Sequence, residues 1–169
     1  MSNKWFRKPL CCIDFGVVNV SELKDVYEIE LLSFGKEAYP FNLFLFYYLI
    51  AGELFIVARC INKPVGYVIA VIEERYGRKL GHIISIAVHP LYRGMGIGKD
   101  LMRIIEKILV DNKVDLIYLE VRKSNKIAIE MYSKLGYKIA KELPKYYGDE
   151  DGYLMMKTNV DNIYSRQNR

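Results

Sequence analysis

The chain has 169 residues, of which 51% are hydrophobic and 27% charged. This length fits one domain with its own core, and the balanced composition excludes a disordered or fibrous chain. The longest apolar run, residues 41–51, is too short to span a bilayer, and residues 1–10 lack the apolar core of a signal peptide. We therefore expect a cytoplasmic protein that does not enter a membrane.

The net charge of +5 favours acidic partners, such as a nucleotide-bearing cofactor or a ribosome surface, although a solvated basic surface explains it equally well. No dense basic run is present, so we expect no direct recognition of nucleic acid. The three cysteines, Cys11, Cys12 and Cys60, lack metal-ligand spacing. We expect reduced cysteines and no metal site.

The first half of the chain alternates apolar strands with amphipathic helices. Helical spacing of apolar residues follows Ser21, a suitable N-cap, and Gly35 and Pro40 mark a loop. The predicted elements are a strand over 13–20, helices over 22–33 and 41–51, and a hairpin of strands over 54–60 and 65–73.

The second half continues with a turn at residues 76–78. Ser124 or Asn125 caps the fourth helix, and Gly136 ends it. The predicted elements are strands over 80–88, 115–121, 137–143 and 153–157, a helix over 96–112, and a helix that ends before 136. The sequence thus predicts one α/β domain over 1–158, with a mixed, mostly antiparallel sheet of about seven strands and four flanking helices, followed by a polar tail over 159–169.

A glycine-rich stretch joins the central strand to the third helix. Arg93, Gly96 and Gly98 form the pattern R-x-x-G-x-G just before the helix. Unpaired N–H groups at a helix start, with glycines nearby, can bind phosphate. The spacing fits neither the dinucleotide fingerprint nor the P-loop. It resembles the pyrophosphate loop of GNAT acetyltransferases, which bind acetyl-CoA; the alternative is a plain glycine turn.

Two further segments resemble a narrower family. Residues 118–137 are similar to protein N-terminal acetyltransferases, in particular the type A catalytic subunit, its archaeal single-chain relatives and the ribosomal-protein alanine acetyltransferase. Residues 143–153 resemble the type A group. The resemblance covers about residues 13–157 and implies the GNAT fold.

This resemblance implies the catalytic residues. Glu120 is then the general base, acting through a water; His82 is a second base or water ligand; and Tyr132 protonates the leaving thiolate. Each has a structural alternative: a strand-end carboxylate, a strand-edge histidine and a packing tyrosine. Which of Glu120 and His82 is the principal base stays open.

The resemblance also implies the binding residues. Backbone N–H groups of the central strand and the glycine loop meet the pantetheine and pyrophosphate, and Asn125 bonds the pantetheine arm. Two loops hold the peptide, unless their tyrosines only pack. The cofactor-binding residues are Ile86, Ala87, Val88, Arg93, Gly94, Met95, Gly96, Ile97, Gly98, Lys99, Asn125 and Tyr132, and the substrate-binding residues are Glu37, Tyr39, Tyr146 and Tyr147.

The implied activity is transfer of the acetyl group of acetyl-CoA to the α-amino group of protein N-termini, by direct attack in a ternary complex. The implied partners are protein or peptide N-termini, with a ribosome or an auxiliary subunit as further candidates. A lysine or small-amine acetyltransferase on the same fold is the first alternative, because fold does not determine the acceptor. A non-catalytic acyl-CoA-binding module is the second.

Overall fold

The computed structural model describes residues 12–158, which form four α-helices and one seven-stranded sheet. In chain order the elements are β1 Ile13–Val17, α1 Leu23–Phe34, α2 Phe41–Ala51, β2 Phe55–Cys60, β3 Lys63–Arg75, β4 Arg78–Val88, α3 Ile97–Asp111, β5 Leu116–Arg122, α4 Lys126–Lys134, β6 Lys138–Leu143 and β7 Gly152–Thr158. The strand order is β1-β2-β3-β4-β5-β7-β6. β4 and β5 run parallel, whereas β1 with β2, β2 with β3, β5 with β7 and β6 with β7 are antiparallel. The predicted mixed, mostly antiparallel sheet with four helices is confirmed.

The described chain divides into two compact units. The first unit holds residues 12–69 and 85–103, and the second holds residues 70–84 and 104–158. β3, β4 and α3 each contribute residues to both units. The predicted tail over 159–169 lies outside the described residues.

The first unit has an aromatic core. The Phe44 ring lies 5.5 Å from the Tyr67 ring and 6.3 Å from the Phe55 ring, and all three residues are at most 1% exposed. The α2 helix that carries Phe44 begins after Pro40, whose fixed φ suits a position before a helix. Burial of the Phe44 ring against Tyr67 and Phe55 stabilises the packing of α2 in this core.

In the second unit, α3 packs closely on β4. A Cβ added at Gly81 would lie 2.9 Å from the Leu109 side chain, so only glycine permits this approach. Leu109 is fully buried, as are Ile117 on β5 and Met155 on β7. This packing holds β4 and β5 in the parallel register that pairs His82 with Tyr118.

Two hairpins have two-residue turns in the left-handed region. Ile61 and Asn62 join β2 to β3 with φ of 49° and 63°, and Tyr76 and Gly77 join β3 to β4 with φ of 53° and 71°. Positive φ at both central residues is the type I′ geometry, which matches the twist of antiparallel strands. The turns are therefore tighter than predicted, and β3 extends to Arg75.

Three predictions are wrong in detail. β1 ends at Val17, and a short 3-10 turn occupies residues 20–22. Asn19, not Ser21, starts the helical segment, since its backbone N–H donates to the Glu22 side chain at 2.7 Å in a capping box. Cys60 is disulfide-bonded rather than reduced, whereas Cys12 is exposed and free.

Within residues 12–158, no helix is long and apolar enough to cross a membrane. In the same residues no group of three or more His, Cys, Asp or Glu side chains is arranged to hold a metal ion.

Candidate active site

His82 and Glu120 form a close pair in the second unit. The Nε2 atom of His82 lies 2.8 Å from Oε2 of Glu120. The parallel register places His82 opposite Tyr118, and Glu120 follows two residues later on the same face of β5. Their side chains are 18% and 17% exposed, so both are largely sheltered but reach solvent. The structure therefore brings together the two residues expected to share the role of base.

A second carboxylate stands on the other side of the imidazole. Glu73 Oε1 lies 3.3 Å from His82 Nδ1, and Glu73 Oε2 accepts a hydrogen bond from the Tyr118 hydroxyl at 3.1 Å. The Tyr118 ring stacks on His82 with centroids 4.2 Å apart and an angle of 16°. The imidazole is thus held on both nitrogens and on one face, which fixes its orientation.

Two groups of this cluster have shifted pKa values, which keep Glu73 negatively charged and Tyr118 protonated. Burial raises the pKa of Glu73, but hydrogen bonds from His82 and Tyr118 and the charge of Arg75 outweigh it, so its pKa is lowered overall. Burial and the charge of Glu73 raise the pKa of Tyr118, which stays a protonated donor. Glu73 is thus an anion, and its Oε1 atom, 3.3 Å from Nδ1 of His82, favours a hydrogen-bond donor at that nitrogen.

Sequence reasoning missed Glu73. Its signal is the hairpin: a regular two-residue turn at Tyr76 and Gly77 places Glu73 opposite Leu80 and diagonal to His82. The predicted strand ends at Glu73 and the predicted turn has three residues, so this register does not follow from the prediction.

Tyr132 lies on α4 of the same unit, and Asn125 lies directly before this helix. Tyr132 is 5% exposed, and burial raises its pKa, which keeps its hydroxyl protonated. Asn125 caps α4, and its side-chain oxygen accepts from the Ala128 N–H at 3.2 Å. The cap uses the oxygen and not the amide nitrogen of Asn125. Within residues 12–158, no hydrogen bond joins Tyr132 to His82 or Glu120.

One of the two loops predicted to bind the peptide lies in the second unit, between β6 and β7. Tyr146 is 53% exposed, and its pKa is raised by burial and by the charge of Glu120, which places its hydroxyl within electrostatic range of that carboxylate. The Tyr147 ring lies 5.0 Å from that of Tyr146 and carries the Arg122 guanidinium 4.3 Å from its centroid. Tyr146 thus senses the charge of Glu120, whereas Tyr147 packs against Arg122.

The other loop predicted to bind the peptide, residues 35–40, lies in the first unit. Glu37 ends a 3-10 turn, and Tyr39 follows it and is 40% exposed. The Tyr39 backbone N–H donates to the carboxylate of Glu30 at 2.9 Å, a contact that sequence reasoning missed.

The glycine loop of the first unit has the conformation that close approach of an anion needs. Gly94 and Gly96 have φ of 73° and 86°, where other residues are strained. α3 begins at Ile97, so the N–H groups of Ile97, Gly98 and Lys99 have no partner within the helix.

Arg93 braces this loop. Its guanidinium donates to the Val88 carbonyl at 2.9 Å and to the Ser33 hydroxyl at 3.0 Å. These two bonds keep the positive charge of Arg93 at the loop, and their role is to support the conformation of the loop. Of the other residues predicted to bind the cofactor, Ile86, Ala87 and Val88 lie at the end of β4, and Met95 lies between the two glycines.

Comparison with known proteins agrees with this geometry. The sequence profile described as acetyltransferase (GNAT) family matches residues 23–137. An uncharacterized N-acetyltransferase of Methanocaldococcus jannaschii is 40% identical over 138 residues, which are 80% of this chain and 85% of that protein. An N-alpha-acetyltransferase of Sulfurisphaera tokodaii is 36% identical over 146 residues, covering 80% and 87%.

The structure of Ard1 from Thermoplasma volcanium superposes with a TM-score of 0.79 at 28% identity, and covers 86% of this chain and 97% of that one. The family predicted from the glycine loop and the segment over residues 118–137 is therefore confirmed, and the chain belongs to the GNAT family of acetyltransferases.

Proposed function

We propose that this chain transfers the acetyl group of acetyl-CoA to the α-amino group of protein N-termini, by direct attack in a ternary complex. The observation that carries the proposal is the His82–Glu120 pair, 2.8 Å apart and backed by Glu73, in a chain whose relatives are named N-alpha-acetyltransferases. These three groups form a proton acceptor that still reaches solvent.

The acceptor amine must lose a proton to become a nucleophile. An α-ammonium group has a pKa of about 8, so a modest base is sufficient at neutral pH. The His82–Glu120 pair takes this proton through a water, and Glu73 stabilises the positive charge that the imidazole gains. The pair acts as one unit, because Nε2 of His82 and Oε2 of Glu120 lie within hydrogen-bond distance, at 2.8 Å.

Acetyl-CoA supplies a thioester, whose bond to sulfur breaks as the amine nitrogen bonds to the carbonyl carbon. Tyr132 donates its hydroxyl proton to the departing sulfur, a role that suits a buried tyrosine that stays protonated. The amine gives up two protons: one leaves to solvent by way of the His82–Glu120 pair, and the other restores the Tyr132 hydroxyl through solvent. The amine attacks the thioester directly, so no covalent enzyme intermediate forms.

The other predicted residues bind the substrates. Backbone N–H groups of 86–88 and of the loop over 93–99 take the pantetheine amides and the pyrophosphate, and the Asn125 amide bonds the pantetheine. Tyr146 bonds the acceptor backbone with support from Tyr147, and Glu37 and Tyr39 also bind the acceptor peptide. Tyrosine hydroxyls that bond the backbone of the first peptide residues favour a peptide N-terminus over a lysine side chain.

The acceptor class suggests where the enzyme works. Protein N-termini emerge at the ribosome, so we place the enzyme in the cytoplasm, with the ribosome or an auxiliary subunit as a candidate partner. The proposal involves no membrane and no direct nucleic-acid recognition.

The experiment measures thiol release from acetyl-CoA with a panel of peptides. The panel varies the first residue among Ser, Ala, Thr and Met, and includes N-terminally blocked peptides with one internal lysine. Turnover on free N-termini alone supports the proposal and measures the first-residue preference. Turnover confined to the blocked lysine peptides contradicts it, as does silence on every peptide while acetyl-CoA still binds.

A further inference from the structure

The first unit holds a polar cluster that the mechanism above does not use. Glu30 on α1 is 1% exposed. One oxygen of its carboxylate accepts from the Tyr39 backbone N–H at 2.9 Å, and the other accepts from the Tyr67 hydroxyl. The Tyr67 hydroxyl also lies 2.9 Å from Oγ of Ser85. One carboxylate thus joins helix α1, the loop over 35–40 and strand β3, and reaches β4 through Tyr67.

This carboxylate has no positive partner in the described part of the chain: no Lys, Arg or His side chain there pairs with Glu30. Burial raises its pKa, against hydrogen bonds from Tyr67, Tyr39 and Ser85. A buried carboxylate without a cation costs free energy that an apolar side chain of similar volume would not. Stability therefore does not explain an acid at this position. Its two oxygens do explain it, because they accept hydrogen bonds that an apolar side chain cannot accept.

The two ends of the cluster lie beside residues of the proposed site. At one end, the Tyr39 N–H is part of the loop that holds Glu37 and Tyr39, which the proposed function assigns to the acceptor peptide. At the other end, Ser85 immediately precedes Ile86 on β4. A backbone N–H bonded to a buried group fixes the orientation of its peptide unit, and with it the direction of the neighbouring side chains.

We propose that Glu30 is a positioning residue that fixes the 38–39 peptide unit against β3 and β4, and so sets how the first residue of the acceptor is held. This inference rests on the proposed function, since it assigns the loop over 35–40 to the acceptor peptide. Glu30 acts through Tyr39 and does not touch the reacting atoms.

The test compares two variants of similar length. Glu30→Gln keeps an oxygen that can accept from the Tyr39 N–H, whereas Glu30→Met fills the same space without an acceptor. We expect Glu30→Met to raise the KM for the peptide by about tenfold and to alter the preference between Ser-first and Met-first peptides. The KM for acetyl-CoA should stay within about twofold. Glu30→Gln should restore most of the peptide KM.

Glu28, exposed on the same helix, is the matched control. Glu28→Gln should leave both KM values unchanged. Equal peptide KM values for Glu30→Met and Glu30→Gln would overturn the proposal, and so would equal rises in the two KM values of Glu30→Met, because a purely structural role predicts loss for both substrates.

Amide hydrogen exchange gives a readout that does not need activity. In the wild-type chain the Tyr39 amide should exchange at least about tenfold more slowly than an unbonded loop amide, although Tyr39 itself is 40% exposed. This protection should persist in Glu30→Gln and disappear in Glu30→Met.

Fast exchange at Tyr39 in the wild-type chain would overturn the inference without any variant, even if Glu30→Met fails to fold. The two proposals can also fail separately. An absence of peptide turnover would end the proposed function, while the exchange rates would still decide whether Glu30 holds the loop.

Discussion

Glu120 and Glu30 are both carboxylates bonded to a ring-bearing side chain, but their surroundings differ. The Glu120 side chain is 17% exposed and lies against His82, which is itself backed by Glu73. Glu30 is 1% exposed, lies against Tyr67 and the Tyr39 backbone, and has no cationic partner among residues 12–158. A carboxylate that meets solvent beside an imidazole can exchange protons during turnover, whereas one sealed among hydroxyl and amide donors can only hold its neighbours in place.

The largest effect expected is at Glu120. Glu120→Gln keeps the size of the side chain but removes the proton acceptor, so kcat should fall by about a hundredfold or more. Acetyl-CoA binding, measured by calorimetry, should stay within about twofold, since no described contact assigns Glu120 to the cofactor. Glu74→Gln, at an exposed carboxylate on β3, is the control and should keep full activity. A Glu120→Gln enzyme with normal kcat would remove the distinction between the two carboxylates.

Two buried tyrosines extend the comparison. Tyr132 in the second unit is the proposed proton donor to sulfur, and Tyr67 in the first unit is bonded to Glu30. Tyr132→Phe should lower kcat by about tenfold to a hundredfold with little change in the peptide KM, because the leaving thiolate then departs unprotonated. Tyr67→Phe should leave kcat nearly unchanged. Steady-state kinetics of both variants with the same peptide measures the two kcat values. A lower kcat for Tyr67→Phe than for Tyr132→Phe would contradict the assignment of Tyr132 as the proton donor.

Part of the fold and of the candidate site could be predicted from the sequence, because it follows from local patterns. The bounds of α2 agree with the prediction to the residue, because Pro40 and Gly52 flank an uninterrupted helical run. The glycine loop and the pairing of His82 with Glu120 were also predictable, since both follow from local motifs and from the family resemblance.

The contacts of Glu73 and Glu30 were not predictable in the same way. Glu73 reaches His82 only through the register of a hairpin, and one extra residue in the turn shifts that register. Glu30 bonds groups that are 9 and 37 residues away, at Tyr39 and Tyr67. The start of the first helical segment was predictable: Asn19 and Glu22 have the spacing of a capping box, which the choice of Ser21 overlooked.

The substitution Glu73→Gln tests the role of the second carboxylate beside His82. Glu73→Gln removes the negative charge that faces Nδ1 of His82 at 3.3 Å, so the pair should take the acceptor proton less readily. The kcat at neutral pH should fall by about threefold to tenfold. The control is Glu74→Gln, whose kcat should match that of the wild-type chain. A kcat of Glu73→Gln equal to that of the wild-type chain would show that Glu73 contributes packing and not charge.

The smallest effect expected concerns stability in the first unit. The pKa of Glu30 is raised above the usual value of 4.5, so ionising it is harder in the folded chain than in the unfolded chain. A raised carboxyl pKa favours folding only while the group is protonated. Stability is therefore lost as the pH rises from the unfolded pKa through the folded one, and is constant above that. Tyr67 is the titratable side chain bonded to Glu30, and its own pKa is raised by burial and by the charge of Glu30, so it stays neutral throughout this range.

Glu30→Gln cannot ionise and lacks this pH dependence. The Tm of Glu30→Gln minus that of the wild-type chain should consequently be more positive at about pH 7.5 than at about pH 4.5, by a few degrees. Scanning calorimetry at the two pH values measures this difference, with Glu28→Gln as the exposed control. A difference of the opposite sign would mean that Glu30 is stabilised as an anion in the folded chain, and the contrast with Glu120 would then lie in solvent access alone.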